Sequence, residues 1–227
     1  MDPRCTVSAA AVLFDLDGVL VDSTVAVEGH WRDFAARHDL DEKALLDGLH
    51  GRRMMDTMAA ALPGLSPAQL AEEGARLEQA EVDGARDGTL AQPGARQLTA
   101  ALEGRPWAIV TSGTVPVATA RIEAVGLPSP AVLVTGEQVA SGKPDPAPYL
   151  LAAQRLGVPP EDCVVMEDAP AGLAAGQAAG CATIAVTTSH AVEELTGADH
   201  VARNPADLQL VADEQRVVLA IHCTLHG

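Results

Sequence analysis

The chain has 227 residues, enough to bury a full apolar core as one domain or as one domain carrying a smaller insertion. Its 31 acidic against 15 basic residues leave a formal charge of −16, which argues against a surface built to grip nucleic acid, and two Trp, two Phe and one Tyr offer few platforms for stacking bases. Apolar runs such as residues 9–14 and 217–221 are strand-sized and fall far short of the roughly 20 residues of a membrane span. With no basic region followed by a long apolar segment at the amino terminus, a cytoplasmic protein without a membrane partner is expected. The cysteines (Cys5, Cys163, Cys181, Cys223) are scattered without a Cys-x-x-Cys, so Cys163 and Cys181, which adjoin apolar runs, read as small core residues.

In chain order, the run of residues 12–23 reads as a buried strand that ends in Asp15 and Asp17, two positions apart and immediately before Gly18. Residues 24–86 contain helical spacings at 25–38, 54–62 and 68–82, with Ser66-Pro67 as a helix start. They predict a small helical insertion, residues 23–89, between core segments 1–22 and 90–227. Its hinges are expected near Ser23 and in residues 84–93. From Pro93 the pattern alternates: helices at 94–102, 115–125, 146–156 and 172–179, and short buried strands at 107–110, 132–134, 163–166 and 183–186. Alternation of this kind predicts an α/β fold, a Rossmann-like parallel sheet with helices on both faces, which the first strand rejoins across the insertion. Residues 213–227 carry no clear assignment.

Open parallel sheets bind ligands beyond the carboxyl ends of their strands, and several predicted strands end in groups suited to phosphate chemistry. Asp15 and Asp17 repel each other unless a cation or proton lies between them, and Mg2+ suits such hard oxygen ligands together with a substrate phosphate. Thr111-Ser112-Gly113 offers hydroxyls and a flexible backbone after the strand at 107–110. Lys143, held before Pro144, sits at a loop-to-helix junction, and Glu167-Asp168 ends the strand at 163–166 just before Pro170 can start a helix. Taken singly these are a turn, a surface charge and a helix cap. Their coincidence at one sheet edge points to a site.

Over nearly its whole length the chain resembles the haloacid dehalogenase superfamily of phosphohydrolases. Asp15-Leu16-Asp17-Gly18 is similar to the first motif, Thr111 to the second, Lys143 to the third and Glu167-Asp168 to the fourth. A narrower resemblance, to the glycerol-3-phosphatase, 2-deoxyglucose-6-phosphatase and sugar or polyol phosphatase branch, is carried by residues 30–34, by His50-Gly51-Arg52-Arg53, by Thr111-Ser112-Gly113-Thr114, by Gly142-Lys143-Pro144 and by residues 167–172.

The resemblance implies that Asp15 is a nucleophile forming an aspartyl phosphate and that Asp17 is general acid, then general base. It implies Mg2+ on a carboxylate oxygen of Asp15, the backbone carbonyl of Asp17, the side chain of Asp168, and Glu167 directly or through water. Lys143 would neutralise Asp15 and a phosphate oxygen, while Thr111 and the amides near Ser112 and Gly113 hold the transferring group. The insertion would be a lid that selects the organic half of a small phosphorylated sugar or polyol, with Arg52 the leading contact and Glu28, His50, Gly51 and Arg53 beside it. Oligomeric state is left open, a monomer being compatible with everything above.

Two other readings share parts of this machinery. A phosphosugar mutase of the β-phosphoglucomutase type has the same core but a lid histidine where an ungapped match places Val27. A non-catalytic phosphoacceptor module of the receiver type lacks both the large insertion and the need for Asp17. Dehalogenases lack the second aspartate of the first motif.

Overall fold

The computed structural model describes residues 4–46, 49, 51–211 and 216–222. The first half runs β1 (Arg4–Ala9), β2 (Ala11–Phe14), β3 (Val21–Asp22), then helices α1 (Thr24–Arg37), α2 (Glu42–Leu46), α3 (Met54–Ala61) and α4 (Pro67–Gly88), then β4 (Leu90–Ala91). The second half runs α5 (Ala95–Ala101), β5 (Trp107–Val110), α6 (Val115–Ala124), β6 (Val132–Val134), α7 (Ala147–Leu156), β7 (Cys163–Glu167), α8 (Pro170–Ala178), β8 (Ala182–Val186), β9 (His200–Ala202), β10 (Leu208–Val211) and β11 (Val217–His222).

Six strands form a parallel sheet in the order β6-β5-β2-β7-β8-β9. Its strands are continuous apolar runs because both faces are covered. Val12 and Phe14 of β2 point into one apolar cluster, with Ile109, Met166, Leu98 of α5 and Ile122 of α6. Ala11 and Leu13 point into the other, with Val110, Val165, Tyr149 and Ala152 of α7 and Ala175 of α8. The alternation along one strand thus fixes which helices lie on which side, and it leaves the carboxyl ends of β2, β5 and β7 side by side. This is the α/β arrangement the sequence predicts.

Helices α1–α4 leave the sheet after β3 and return at β4, the two being paired antiparallel (Val21 with Ala91, Asp22 with Leu90). They bury their own cluster of Trp31, Phe34, Ala35, Leu45, Leu49, Met58 and Leu77. Trp31 and Phe34 meet edge to face at 5.3 Å between centroids. Helix α4 starts at a capping box in which the Ser66 hydroxyl accepts from the Gln69 N–H and the Gln69 side chain accepts from the Ser66 N–H.

Several features differ from the sequence reading, among them α2 and the short strands β3, β4 and β9, which it did not assign. Residues 84–88, expected in a hinge, stay helical to Gly88, because the small residue lets α4 lie directly against α1: a Cβ at Gly88 would come within 2.5 Å of the Ala26 Cβ. A second sheet, antiparallel in the order β1-β11-β10, joins the amino-terminal strand to residues 217–222, part of the segment the sequence left unassigned. Residues 212–215 and 223–227 of that neighbourhood lie outside the described residues. Among the described residues no helix is long and apolar enough to cross a membrane.

Phe34 is fully buried at the centre of the insertion's cluster. Phe34→Ala should therefore lower unfolding stability by about 3–5 kcal/mol, read from urea unfolding. A loss below about 1 kcal/mol would show that α1 is not anchored by this contact.

Candidate active site

Asp15 follows the last residue of β2, and its N–H donates to the Met166 carbonyl of β7 at 3.0 Å, which holds the two strand ends together. Lys143 reaches the same point from the loop before α7. Its ammonium donates to Asp15 Oδ1 at 2.7 Å and to the Val110 carbonyl at 3.0 Å, and it lies 2.6 Å from Glu167 Oε1. The Tyr149 hydroxyl of α7 also donates to Glu167 Oε1, at 2.5 Å. Glu167 Oε2 accepts the Asp168 N–H at 3.2 Å. Asp168 accepts from the Ser189 hydroxyl. All four charged side chains are buried.

Two glycines make room for this crowd. Gly18, at φ +83°, closes the tight turn after Asp17, and a Cβ there would lie 1.9 Å from Asp168 Oδ2. At Gly172 in α8 a Cβ would overlap the Glu167 carboxylate at 1.9 Å.

Ligand oxygens of Asp15, Glu167 and Asp168 all lie within 4.8 Å of one another. Were all three carboxyls ionised, the single ammonium of Lys143 would leave two negative charges in a buried space. Burial, and then the neighbouring Glu167 charge, push the Asp15 carboxyl up from 3.8 to about 7, against the opposing pull of Lys143. Burial together with Asp15 and Glu167 likewise holds Asp168 well above the usual carboxylate range. Burial works against the charge of Lys143, yet Asp15 and Glu167 outweigh it and keep the ammonium more firmly protonated than a free lysine. A cluster of hard oxygens with this surplus of charge fits a divalent cation.

Above the cluster is a cavity of about 100 Å³. The sheet edge contributes Asp15, Asp17, Thr111, Ser112, Gly113 and Asp168 to its wall. The insertion contributes apolar Val27, Trp31, Leu49 and Met54, with Gly51, Arg52 and Glu81. Thr111 Oγ1 accepts the Gly113 N–H at 3.0 Å, tightening the turn after β5, and the Ser112 hydroxyl donates to the Gly51 carbonyl across the gap at 2.8 Å.

The other sequence-predicted residues have different places. Arg52 is exposed at the cavity wall, with no hydrogen bond from its guanidinium among the described residues. Arg53 points away, bonded to Asp56 at 2.6 Å and to the carbonyls of Val139 and Ala140 at 3.1 and 3.2 Å. Glu28 is paired with Arg32 at 2.6 Å and does not line the cavity. His50 lies outside the described residues.

Residues that the sequence reading did not assign to the site also converge here. Ser23 and Arg121 both donate to Asp17 Oδ1, and Arg121 also reaches Glu81. The available signal for Arg121 was a lone charge among Val117, Ala118 and Ile122, on the buried side of α6. Tyr149, the only tyrosine of the chain, gave none.

Residues 9–180 match the family model described as haloacid dehalogenase-like hydrolase. Hexitol phosphatase A of Escherichia coli is 47% identical over 208 residues, covering 91% of this chain and 92% of that protein. Glycerol-1-phosphate phosphohydrolase 2 of Saccharomyces cerevisiae is 34% identical over 214 residues, with 88% and 84% covered. Among solved structures, CbbY from Rhodobacter sphaeroides in complex with phosphate has a TM-score of 0.76 at 27% identity, covering 88% of this chain and 96% of that one. With its parallel sheet, its acidic cluster at the strand ends and these likenesses along most of its length, the chain belongs to the haloacid dehalogenase-like hydrolases.

Proposed function

We propose that the chain is a magnesium-dependent phosphatase that hydrolyses a small phosphorylated sugar or polyol through an aspartyl phosphate on Asp15. The observation that carries this reading is the position of Asp15: it is fixed by Lys143 at 2.7 Å, within ligand distance of Glu167 and Asp168, and at the wall of a cavity that Asp17 and Thr111 share. Likeness to relatives named for a hexitol phosphatase and a glycerol-1-phosphate phosphohydrolase supports a phosphorylated polyol as substrate.

Asp15, Asp168 and the Asp17 backbone carbonyl would hold magnesium, which would supply positive charge to offset the repulsion between an attacking carboxylate and a phosphate dianion. Glu167 would contribute through water or directly, its Oε1 being already engaged by Lys143 and Tyr149. Asp15 attacks phosphorus in line, forming one P–O bond as the bond to the alkyl oxygen breaks. Lys143 orients Asp15 and balances charge, while the Thr111 hydroxyl and the amide of Ser112 hold the phosphoryl oxygens, the Gly113 N–H being turned to Thr111 Oγ1. Asp17 gives its proton to the departing alkoxide, then takes one from the water that hydrolyses the aspartyl phosphate.

The insertion covers the cavity, keeps bulk water out and presents Arg52 to the hydroxyls of the substrate. His50, next to Gly51, belongs to the same stretch of the proposed contact. Val27 on the cavity wall offers no hydrogen bond to a sugar, which favours hydrolysis over a mutase reaction.

Asp15→Asn should reduce turnover to background while leaving the fold intact by circular dichroism, and Asp17→Asn should slow it about 10²–10⁴-fold. Inorganic phosphate should appear without any isomer of the substrate. Full magnesium-dependent activity in Asp15→Asn would remove the nucleophile assigned here. Arg52→Ala should raise KM about 10–100-fold with little change in kcat, the value of a charge-assisted hydrogen bond.

Cation binding requires ionised carboxyls, so magnesium affinity measured by calorimetry should weaken as pH falls below about 7, with protons released on binding. Because the Asp15 pKa is raised on folding, its contribution to stability without cation is complete below its ordinary value of 3.8 and is lost as pH rises through about 7. Protein in chelator should therefore melt at lower temperature at about pH 8 than at about pH 6, and magnesium should restore it.

A further inference from the structure

Asp17 is held by one oxygen only. The Ser23 hydroxyl donates to Oδ1 at 2.6 Å and Arg121 Nη1 to the same atom at 2.8 Å, while Oδ2 has no hydrogen bond among the described residues. The other arm of the guanidinium, Nη2, donates to Glu81 Oε2 at 3.1 Å. Asp17 stands just beyond β2, Arg121 is in α6 of the core, and Glu81 is in α4 of the insertion. A single planar fork therefore spans the two parts of the molecule. Arg121 and Glu81 are enclosed, with side chains 7% and 10% exposed, whereas Asp17 is 31% exposed at the cavity wall. One turn earlier on α4, the Thr114 hydroxyl at the start of α6 donates to Glu78 Oε1 at 2.6 Å, fixing the same pair of helices in register.

Arginine is the residue suited to this place. Its terminal nitrogens point to two separate carboxylates at fixed angles, which the single ammonium of a lysine cannot reproduce. Removing Glu81 would leave the fork anchored at one end, free to turn and to carry Asp17 with it.

We infer that Arg121 is a positioning residue that makes the orientation of Asp17 depend on the seating of α4: with Glu81 in place, the fork fixes Oδ1 and leaves Oδ2 directed to the departing group. This rests on the reading of Asp17 as general acid. Seating of the insertion then does more than exclude water, because it also aims the proton donor.

The test compares kcat/KM, at saturating magnesium, on a small polyol phosphate and on p-nitrophenyl phosphate. An alkoxide must receive a proton as its P–O bond breaks, whereas p-nitrophenolate leaves without one, so only the first substrate reports the acid. Arg121→Lys and Glu81→Leu should each lose about 10–100-fold on the polyol phosphate and change less than about threefold on p-nitrophenyl phosphate. Asp17→Asn sets the reference for complete loss of the acid. Equal losses on both substrates in Arg121→Lys and Glu81→Leu, with Asp17→Asn selective, would overturn the inference and leave the acid role standing. Selective loss in Arg121→Lys alone would overturn the link through α4. An Asp17→Asn variant that is not selective would remove the acid role itself. Melting temperatures and circular dichroism identify any variant that fails to fold, and Glu81→Leu, which removes the acceptor on α4 but keeps the Arg121 contact to Asp17, decides the case if Arg121→Lys does not fold.

Discussion

The contact on which the site depends is the buried ammonium of Lys143 between Asp15 and Glu167. Taking ions out of water costs several kcal/mol each, and the attraction between them offsets this only when hydrogen bonds satisfy the rest of their capacity. Here the Val110 carbonyl, the Tyr149 hydroxyl and the Asp168 N–H supply those bonds. Even so, one positive charge among three carboxylates is an incomplete balance. The fold holds a charged cluster that an interior without further positive charge does not favour, which on the proposed function ties the stability of this corner of the sheet to the bound cation.

The parallel sheet brings these groups together at little geometric cost. Strands β2, β5 and β7 are neighbours, so residues one or two positions beyond their ends are neighbours too. This is why Asp15, Thr111, Glu167 and Asp168 are legible in the sequence: each directly follows or ends a run of apolar residues, and a strand end is a local feature. Lys143 is legible through its loop-to-helix junction.

What escaped the sequence depends on contacts between distant segments. The β1-β11-β10 sheet pairs Arg4–Ala9 with residues more than 200 positions away, and nothing within either strand names its partner. Arg52 and Arg53 are adjacent and chemically alike, yet one faces the cavity and the other is tied to the carbonyls of Val139 and Ala140. Only the direction of the chain at that point separates them. Arg121 acquires its meaning from Glu81, forty positions earlier, once α4 lies against α6.

The two parts of the molecule are held internally by different forces from those that join them. The core cluster against α5 and α6 draws no residue from the insertion, and the cluster of the insertion draws none from the core. Hydrogen bonds cross the gap: Ser112 to the Gly51 carbonyl, Thr114 to Glu78, Arg121 to Glu81, and Arg53 to the carbonyls of Val139 and Ala140. Neutral bonds of this kind contribute about 1 kcal/mol each, those to charged groups about 1.5–3 kcal/mol, and all of them can be exchanged for bonds to water when the seam is wetted. Parting such a seam leaves both apolar clusters intact, so on the proposed function the insertion can open to admit substrate without unfolding either part. On the inference drawn from Arg121, opening the same seam would carry Glu81 away from the guanidinium and leave Asp17 aimed only while the cavity is closed.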